Sequence, residues 1–579
     1  MKIFKTCVHQ HYRTISVFLL ILSILFMSLA VQDTWALDRS KKNEGADHED
    51  AHASATGKSV RVGVIEVEEK TGGRGVIESG AKKHHLGSRL KENLWFDNLA
   101  PPLSGDPVPP AGDFNKDSEH ATLVADVIGS GDATHTGVAK KADIYVGSVE
   151  AKFVDWGGGN EVAGVRAAAD WLEQGYDVHL FNHSWENGDT RDTRFLDWFT
   201  VQRDTLHIIA AGNSSGTLND PATAFNALTV GATDDNFVNR ADYSDYQAGG
   251  RAKPDLVAPG TKISNGAIEE NGTSFAAPHV TGVAAMLAEK GLTMGTGNDK
   301  NRLAQRAIIM NSTRKRHIVK PDIDHADVRD NATTAIETED GDYLTGKKIR
   351  QGSTATAPKT DQWTPSQWTS PDGKKLTVTQ PLDDETGTGT LDAQRALIQF
   401  NGGEQKEKHF NPAGVGPIGW NRSFLNPDFG MDIYEFNFGI ETGTFITATL
   451  VWDRPVNETD AGTAGSKPGQ VDAGDTYAYG ALPDFNLFVF KNEMLWAESI
   501  GTLDTVEHLH FPVPEFGKPF EYSLRVDLLG SGFNNINYGL AWWTTPIPEP
   551  ETFFLFALGI IGLLLMHKRR AGKSCGSSR

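Results

Sequence analysis

The chain has 579 residues, of which 39% are hydrophobic and 22% are charged, so it holds enough apolar material for at least two cores. Its formal net charge of −20 argues against nucleic acid as a partner, because phosphate binding requires clustered Lys and Arg. The acidity is compatible with Ca²⁺ binding, but solubility is the simpler explanation. The only two cysteines, Cys7 and Cys575, lie near the ends, so no disulfide is expected in the folded part.

The beginning of the chain is predicted to be a signal peptide over residues 1–36. A basic start precedes an apolar run at 15–31, and small residues at 34–36 resemble a cleavage site. An uncleaved anchor helix is the alternative interpretation of the same residues. Residues 37–58 are small and polar, and this composition predicts a linker.

From residue 59 onward, short apolar runs alternate with helical patterns, as in βαβ units with a parallel sheet. A helical pattern at 162–174 lies between two of these runs. The predicted strands are rich in β-branched residues and lie at 60–67, 142–146, 178–181, 207–210 and 228–230. The sequence therefore predicts a three-layer α/β domain with a mostly parallel sheet over residues 59–400. A loop-rich insertion is expected within it at about 316–386, where Thr, Ser, Pro and Gly are frequent.

A second domain is predicted over residues 405–543. Apolar residues alternate with other residues at 446–452 and again at 522–526, and turn residues separate such segments. Alternation with period two is typical of strands that bury one face. The pattern predicts an all-β sandwich or jelly roll.

The last segment, residues 544–579, has a distinctive order of features. Pro-Glu-Pro at 548–550 precedes an apolar stretch at 553–566 and a basic cluster at 567–570. This order resembles the PEP-CTERM sorting tail of Gram-negative bacteria, which implies removal by an exosortase-like enzyme and transient membrane contact. The alternative is a plain C-terminal membrane anchor with positive flanks. Both interpretations place the bulk of the protein in the periplasm, at the cell surface or in the extracellular matrix.

The strongest chemical signal is the sequence NGTSFAAPHVTG at 271–282. It places Ser274 at the start of an apolar, Ala-rich helix, with Pro278 expected near the first turn. Free N–H groups at a helix N-terminus favour negative charge, so such a serine can attack a carbonyl and help to bind the resulting oxyanion. A serine that only caps its helix is the simpler alternative.

This motif resembles the nucleophile motif of the subtilase family, and the likeness extends over about residues 60–397. His120, in His-Ala-Thr-Leu-Val-Ala, resembles the family's general base, although Ala121 replaces the usual Gly. Asn213, at the end of Ile-Ile-Ala-Ala-Gly-Asn, resembles the oxyanion-hole residue. The resemblance implies a serine endopeptidase that acts on proteins or peptides. It also implies that no redox or organic cofactor is required and that structural Ca²⁺ is possible.

Two further positions follow from the resemblance. Ser184 and Trp185 match the strand that pairs with extended substrate, and Glu186 beside them could favour basic side chains or be a solvated rim charge. Glu66, at the end of the first strand, occupies the place of the family's triad Asp.

The side chain of Glu is one methylene longer than that of Asp, so its carboxylate lies about 1.5 Å further from the backbone. A misplacement of about 1 Å can reduce a rate roughly 10²-fold. A working triad of Glu66, His120 and Ser274 is the favoured interpretation. A catalytically weak or inactive surface protein that binds peptides or matrix is the alternative, and an esterase-like hydrolase is a third possibility.

Overall fold

A computed structural model describes most of the chain between residues 52 and 544. The described residues, apart from a few isolated positions, run through 54–69, 75–96, 117–151, 163–234, 240–247, 251–295, 301–314, 366–369, 375–378, 385–426, 430–459 and 475–544. The predicted signal peptide at 1–36, most of the linker at 37–58, most of the insertion at 316–386 and nearly all of the tail at 544–579 lie outside them. None of the helices in the described ranges is both long and apolar enough to cross a bilayer.

A seven-stranded sheet forms the middle layer of the first domain. Its order is β3-β5-β1-β6-β7-β8-β9, and every neighbouring pair in it is parallel. The first nine strands are β1 (Arg61–Glu69), β2 (Gly75–Val76), β3 (Leu90–Phe96), β4 (Asp117–Ser118), β5 (Asp143–Ala151), β6 (Leu180–His183), β7 (Leu206–Ala210), β8 (Leu228–Thr233) and β9 (Leu256–Pro259). Strands β2 and β4 pair only with each other.

Helices cover both faces of this sheet. The helices are α1 (Glu119–Gly129), α2 (Ala163–Tyr176), α3 (Thr190–Arg203), α4 (Thr273–Met294), α5 (Arg302–Asn311) and α6 (Ala393–Asn401), with a short 3₁₀ turn at Gly87–Arg89. Because strand side chains alternate between faces, Val62 and Val64 of β1 pack with α1 and α4, whereas Ile65 packs with α2 and α3. The predicted three-layer α/β architecture is confirmed.

The second domain is built from antiparallel strands. Two four-stranded sheets have the orders β14-β23-β16-β21 and β15-β22-β19-β20. Two minor two-stranded sheets come earlier in the chain. They pair β10 (Ile263–Ser264) with β11 (Glu269–Glu270) and β12 (Ser366–Thr369) with β13 (Lys375–Val378). A third pairs β17 (Val456–Thr459) with β18 (Thr476–Tyr479), within the sequence of the second domain. The remaining strands are β14 (Ile418–Leu425), β15 (Met431–Glu435), β16 (Phe445–Trp452), β19 (Asp484–Lys491), β20 (Met494–Ser499), β21 (Val506–Pro512), β22 (Tyr522–Leu529) and β23 (Ile536–Trp543).

Side chains from both four-stranded sheets meet in one buried core. The hydroxyl groups of Tyr434 in β15 and Tyr538 in β23 lie 2.7 Å apart and join the two sheets. Trp420 and Leu487, one from each sheet, are also fully enclosed. The predicted all-β sandwich is therefore confirmed.

The two domains are joined by partly buried polar contacts as well as by apolar packing. The guanidinium of Arg302 in α5 donates two hydrogen bonds to Asp453, at 2.8 and 2.7 Å. Asn226 makes two hydrogen bonds to the backbone of Arg454. Its Nδ2 donates to the carbonyl of Arg454, and its Oδ1 accepts from the N–H of Arg454. Such bidentate contacts fix the mutual orientation of the groups that they join.

Close packing at this boundary makes a glycine of the second domain indispensable. A Cβ built on Gly539 of β23 would collide with the backbone carbonyl of Leu303 in α5. We expect Gly539→Ala to lower the free energy of unfolding by about 1–3 kcal/mol, because overpacking displaces backbone. Thermal unfolding measures the effect.

The matched control for this experiment is Gly416→Ala in the same domain. There the nearest atoms, 3.6 Å away, belong to the flexible end of Gln405. Equal destabilisation by both substitutions would contradict the tight interdomain packing.

Candidate active site

A buried carboxylate and an imidazole meet where β1 approaches the start of α1. The side chain of Glu66 is only 1% exposed, and its Oε2 lies 3.0 Å from Nδ1 of His120. His120 keeps about a third of its side chain exposed. The histidine is thus held from behind by a carboxylate, while its other face remains accessible.

The N-terminal cap of α1 fixes the position of His120. Ser118 precedes the helix, and its Oγ accepts a hydrogen bond of 3.0 Å from the N–H of Ala121. Ser, Thr, Asp and Asn are favoured at this place because they bond an N–H group that the helix leaves unpaired. Ala121, the predicted departure from Gly, is fully buried in the core and does not disturb the cap.

Ser274 is the second residue of α4 and is 9% exposed. Its Oγ lies 3.4 Å from the backbone carbonyl of Ser184, at the end of β6. The ring of Phe275, the next residue, lies 5.3 Å from the imidazole of His120 between centroids. The structure therefore brings the start of α1 close to the start of α4.

Pro278 is the sixth residue of α4, just past the first turn near which the sequence predicts it. In a helix its missing N–H would have bonded the carbonyl four residues earlier, which belongs to Ser274. The hydroxyl of Ser184 donates to that carbonyl instead, at 2.8 Å. The side chain of Ser184, directly after β6, thus replaces the lost helical bond at Ser274.

The hydroxyl of Ser184 is itself held by a buried chain of hydrogen bonds. It accepts from Nδ2 of Asn182 at 2.9 Å, and Oδ1 of Asn182 accepts from Thr281 of α4 at 3.0 Å. All three side chains are buried. This chain ties α4 to β6 at two points, so the beginning of the helix cannot shift independently of the sheet. No motif in the sequence points to these supporting residues, although a proline inside a predicted helix signals that a substitute donor is needed.

Asn213 lies after β7 and is oriented by Thr273, the residue before Ser274. Its Oδ1 accepts from the backbone N–H of Thr273 at 2.8 Å and from the Thr273 hydroxyl at 3.1 Å. The same hydroxyl accepts from the N–H of Gly212 at 3.0 Å. Since Oδ1 is occupied, the Nδ2 amide is the group that Asn213 can present as a hydrogen-bond donor.

Ser184 and Trp185, the predicted substrate-binding pair, have buried side chains. Trp185 is 7% exposed and packs in the core between the sheet and α2 and α3, with its ring against that of His183. Ser184 is occupied with the Ser274 carbonyl. Contact with a substrate would therefore have to come from backbone groups of this segment.

Two carboxylates flank Gly212, directly before Asn213. A Cβ built on Gly212 would lie within 3.0 Å of oxygens from both Glu186 and Asp245. Glu186 lies at the surface with its carboxylate partly enclosed, and this burial, followed by the nearby charge of Asp245, raises the pKa of Glu186. The neighbourhood of Asn213 is thus acidic, and only glycine fits between the two carboxylates.

Metal-binding side chains are not gathered anywhere in the described part of the chain. Within those ranges, no group of three or more His, Cys, Asp or Glu residues could hold an ion. A structural calcium site stays a prediction from the resemblance, since Ca²⁺ also binds backbone and amide oxygens.

Comparison with known proteins gives two family matches. The model of the subtilase family matches residues 75–341, and the PEP-CTERM protein-sorting motif matches residues 546–570. The alkaline protease of Alkalihalobacillus alcalophilus is 30% identical over 304 residues, which cover 50% of this chain and 75% of the relative. The chain belongs to the subtilase family.

A second curated relative and one solved structure are also similar to parts of the chain. Subtilisin Savinase of Lederbergia lenta is 33% identical over 186 residues, which cover 31% of this chain and 65% of the relative. A solved cold-adapted subtilisin-like serine proteinase is 27% identical, with a TM-score of 0.31 and coverage of 44% of this chain and 85% of that one. The prediction of a serine-type endopeptidase is confirmed at the level of the family. The family match includes His120, Asn213 and Ser274 but begins after Glu66.

Behind the subtilase site, on the face that α2 and α3 cover, two buried histidines form a pair. Nε2 of His183 lies 2.8 Å from Nδ1 of His207, and Nε2 of His207 lies 3.0 Å from the hydroxyl of Thr205. Burial lowers the pKa of His183 to about 3. Burial, followed by the proximity of His183, lowers the pKa of His207. Both imidazoles are therefore neutral in the folded protein at neutral pH.

The histidine pair predicts a loss of stability in acid. Between about pH 6.5, where an unfolded histidine titrates, and about pH 3, the unfolded chain binds protons that folded His183 does not. The free energy of unfolding should therefore decrease as the pH falls through this window. Denaturant unfolding at a series of pH values, on the Ser274→Ala variant to prevent self-digestion, measures the slope.

The variant His183→Asn should be less stable at pH 7, but its free energy of unfolding should change less steeply with pH, because one histidine with a lowered pKa has been removed. The control is His179→Asn at an exposed position before β6. If the free energy of unfolding depended on pH identically with and without His183→Asn in the Ser274→Ala background, the histidine pair would not be the origin of the acid sensitivity.

Proposed function

We propose that this subtilase is an exported endopeptidase that hydrolyses peptide bonds through an acyl-enzyme, with Glu66 in the role usually filled by Asp. The hydrogen bond of 3.0 Å between Glu66 and His120 carries the proposal. A buried carboxylate next to Nδ1 holds the tautomer in which Nε2 can accept a proton. The longer side chain thus still reaches the imidazole.

The reaction would begin with attack of Ser274 Oγ on the substrate carbonyl, while Nε2 of His120 takes the hydroxyl proton. The negative oxygen of the tetrahedral intermediate would be stabilised by Nδ2 of Asn213 and the N–H of Ser274. When the peptide bond breaks, His120 returns the proton to the leaving amine and the acyl group stays on Ser274. Water then attacks this ester with the same base, and the carboxylic acid product leaves.

The surroundings of Ser274 support this assignment over a purely structural role for the serine. Its carbonyl is held by Ser184, and its neighbour Thr273 orients Asn213. Among the described residues, the hydroxyl itself makes only the long contact of 3.4 Å with the Ser184 carbonyl. Strong restraint of the backbone around a weakly bonded hydroxyl is the arrangement that a nucleophile requires.

Export is proposed from the ends of the chain. The sorting motif at 546–570 is matched by its family model, and the predicted signal peptide precedes the catalytic domain. Together they favour synthesis for export and processing by an exosortase-like enzyme. The substrates would then be proteins or peptides outside the cytoplasm.

A fluorophosphonate probe tests the proposed chemistry, since it labels a serine only when a base has activated it. We expect labelling of the native chain, none of Ser274→Ala, and strongly reduced labelling of His120→Ala. Ser88→Ala, at an exposed position before β3, should label like the native chain. A well-folded native chain without labelling would favour the inactive, peptide-binding alternative, and ester cleavage without peptide cleavage would favour the esterase-like one.

The acidic surroundings of Gly212 predict a preference for basic side chains next to the cleaved bond. We expect Glu186→Gln to lower kcat/KM for substrates with Lys or Arg there by about fivefold relative to Leu, because a partly exposed charge pair contributes modestly. The raised pKa of Glu186 means that its charge is lost at a higher pH than for an ordinary Glu, so the preference should weaken as the pH falls.

A series of peptides that differ at this one position measures the effect. Glu269→Gln, which removes an exposed carboxylate from β11, is the control. If Glu186→Gln left the ratio of kcat/KM between basic and Leu substrates unchanged, Glu186 would be only a solvated surface charge.

A further inference from the structure

Two buried polar atoms near the proposed catalytic pair have no hydrogen-bond partner among the described residues. One is Oε1 of Glu66, the carboxylate oxygen that does not contact His120. The other is Oγ of Ser148 in β5, a residue that is fully enclosed. A buried polar atom without a partner destabilises the fold, and a charged one does so most strongly.

The two residues are direct neighbours in the sheet. Strands β1 and β5 are parallel, and Glu66 pairs with Ser148 in their register. Two residues earlier, Val64 pairs with Val146, and both of these pack in the core beneath α1 and α4. Because side chains alternate along a strand, Glu66 and Ser148 project from this same face, on strands about 4.8 Å apart.

We propose that the hydroxyl of Ser148 donates a hydrogen bond to Oε1 of Glu66 in the working enzyme and so acts as a positioning residue for the catalytic pair. The movement required is a rotation about the single side-chain torsion of Ser148, among its staggered positions. The inference rests on the proposed function, since it concerns the same carboxylate.

The arrangement answers the difficulty that the longer Glu66 side chain creates. A Glu has one more rotatable bond than an Asp, so contact with His120 through one oxygen leaves the carboxylate free to turn. A donor on the second oxygen fixes its plane, and the hydrogen bond to a charged acceptor is of the stronger kind. Serine also leaves space for the longer neighbour, which a bulky residue in β5 would not.

The kinetic test compares Ser148→Ala and Ser148→Thr with the native chain on a peptide substrate. We expect Ser148→Ala to lower kcat by about 10- to 100-fold with little change in KM, because the serine lies behind the carboxylate and does not touch substrate. Ser148→Thr keeps the hydroxyl and should retain most of the activity. Thr200→Val, which removes a buried hydroxyl from α3 that also has no described partner, is the matched control and should leave kcat unchanged.

A double-mutant cycle with Glu66→Asp separates positioning from general destabilisation. An Asp carboxylate is shorter and would not reach the hydroxyl, so Ser148→Ala should have little further effect in the Glu66→Asp background. Equal effects of Ser148→Ala in both backgrounds would overturn the proposal, as would an unchanged kcat in Ser148→Ala.

A crystal structure of the native chain gives a measurement that does not depend on activity. We expect Ser148 Oγ and Glu66 Oε1 within 3.0 Å of each other, the usual range for a hydroxyl donating to a carboxylate. A separation beyond about 3.5 Å would overturn the positioning role whether or not the enzyme is active. Absence of Ser274-dependent labelling with the short distance present would instead refute the proposed function alone.

Discussion

The hydrogen bond between Glu66 and His120 is the contact on which the site depends. It joins a strand in the middle of the parallel sheet to the first turn of a helix that is capped by Ser118. Neither element alone places a carboxylate beside an imidazole. Once the sheet register and the cap are set, a buried carboxylate lies beside the imidazole while about a third of the His120 side chain stays exposed, which suits the proposed general base.

A second constraint fixes Ser274, the proposed nucleophile, on the same sheet as this pair. Pro278 leaves the carbonyl of Ser274 without a helical partner, and Ser184 supplies one from β6. Thr273 at the same time bonds Asn213. The start of α4 is therefore tied to the ends of two neighbouring strands. Catalytic groups that are held in this way need little rearrangement during the reaction, which is the basis of electrostatic preorganisation.

The sequence predicted local features well and long-range contacts poorly. The strands around Glu66 and Asn213 and the helix of Ser274 follow from apolar runs and motif positions, and the structure contains them. The burial of Trp185 and the bond from Ser184 to Ser274 could not be predicted, because they depend on which face a side chain takes after β6 ends. Partners such as Arg302 and Asp453 are separated by about 150 residues, and no periodic pattern connects them.

The β-sandwich contributes to the site through α5, which packs on α4 and lies against β16 and β23 of the second domain. Its residue Arg302 bonds Asp453, and Gly539 of β23 lies so close to Leu303 that no side chain would fit. Helix α4 carries Ser274 and is thus supported by the sheet on one side and, through α5, by the second domain. Because rigid cores transmit displacement rather than absorb it, the sandwich helps to hold Ser274 in place.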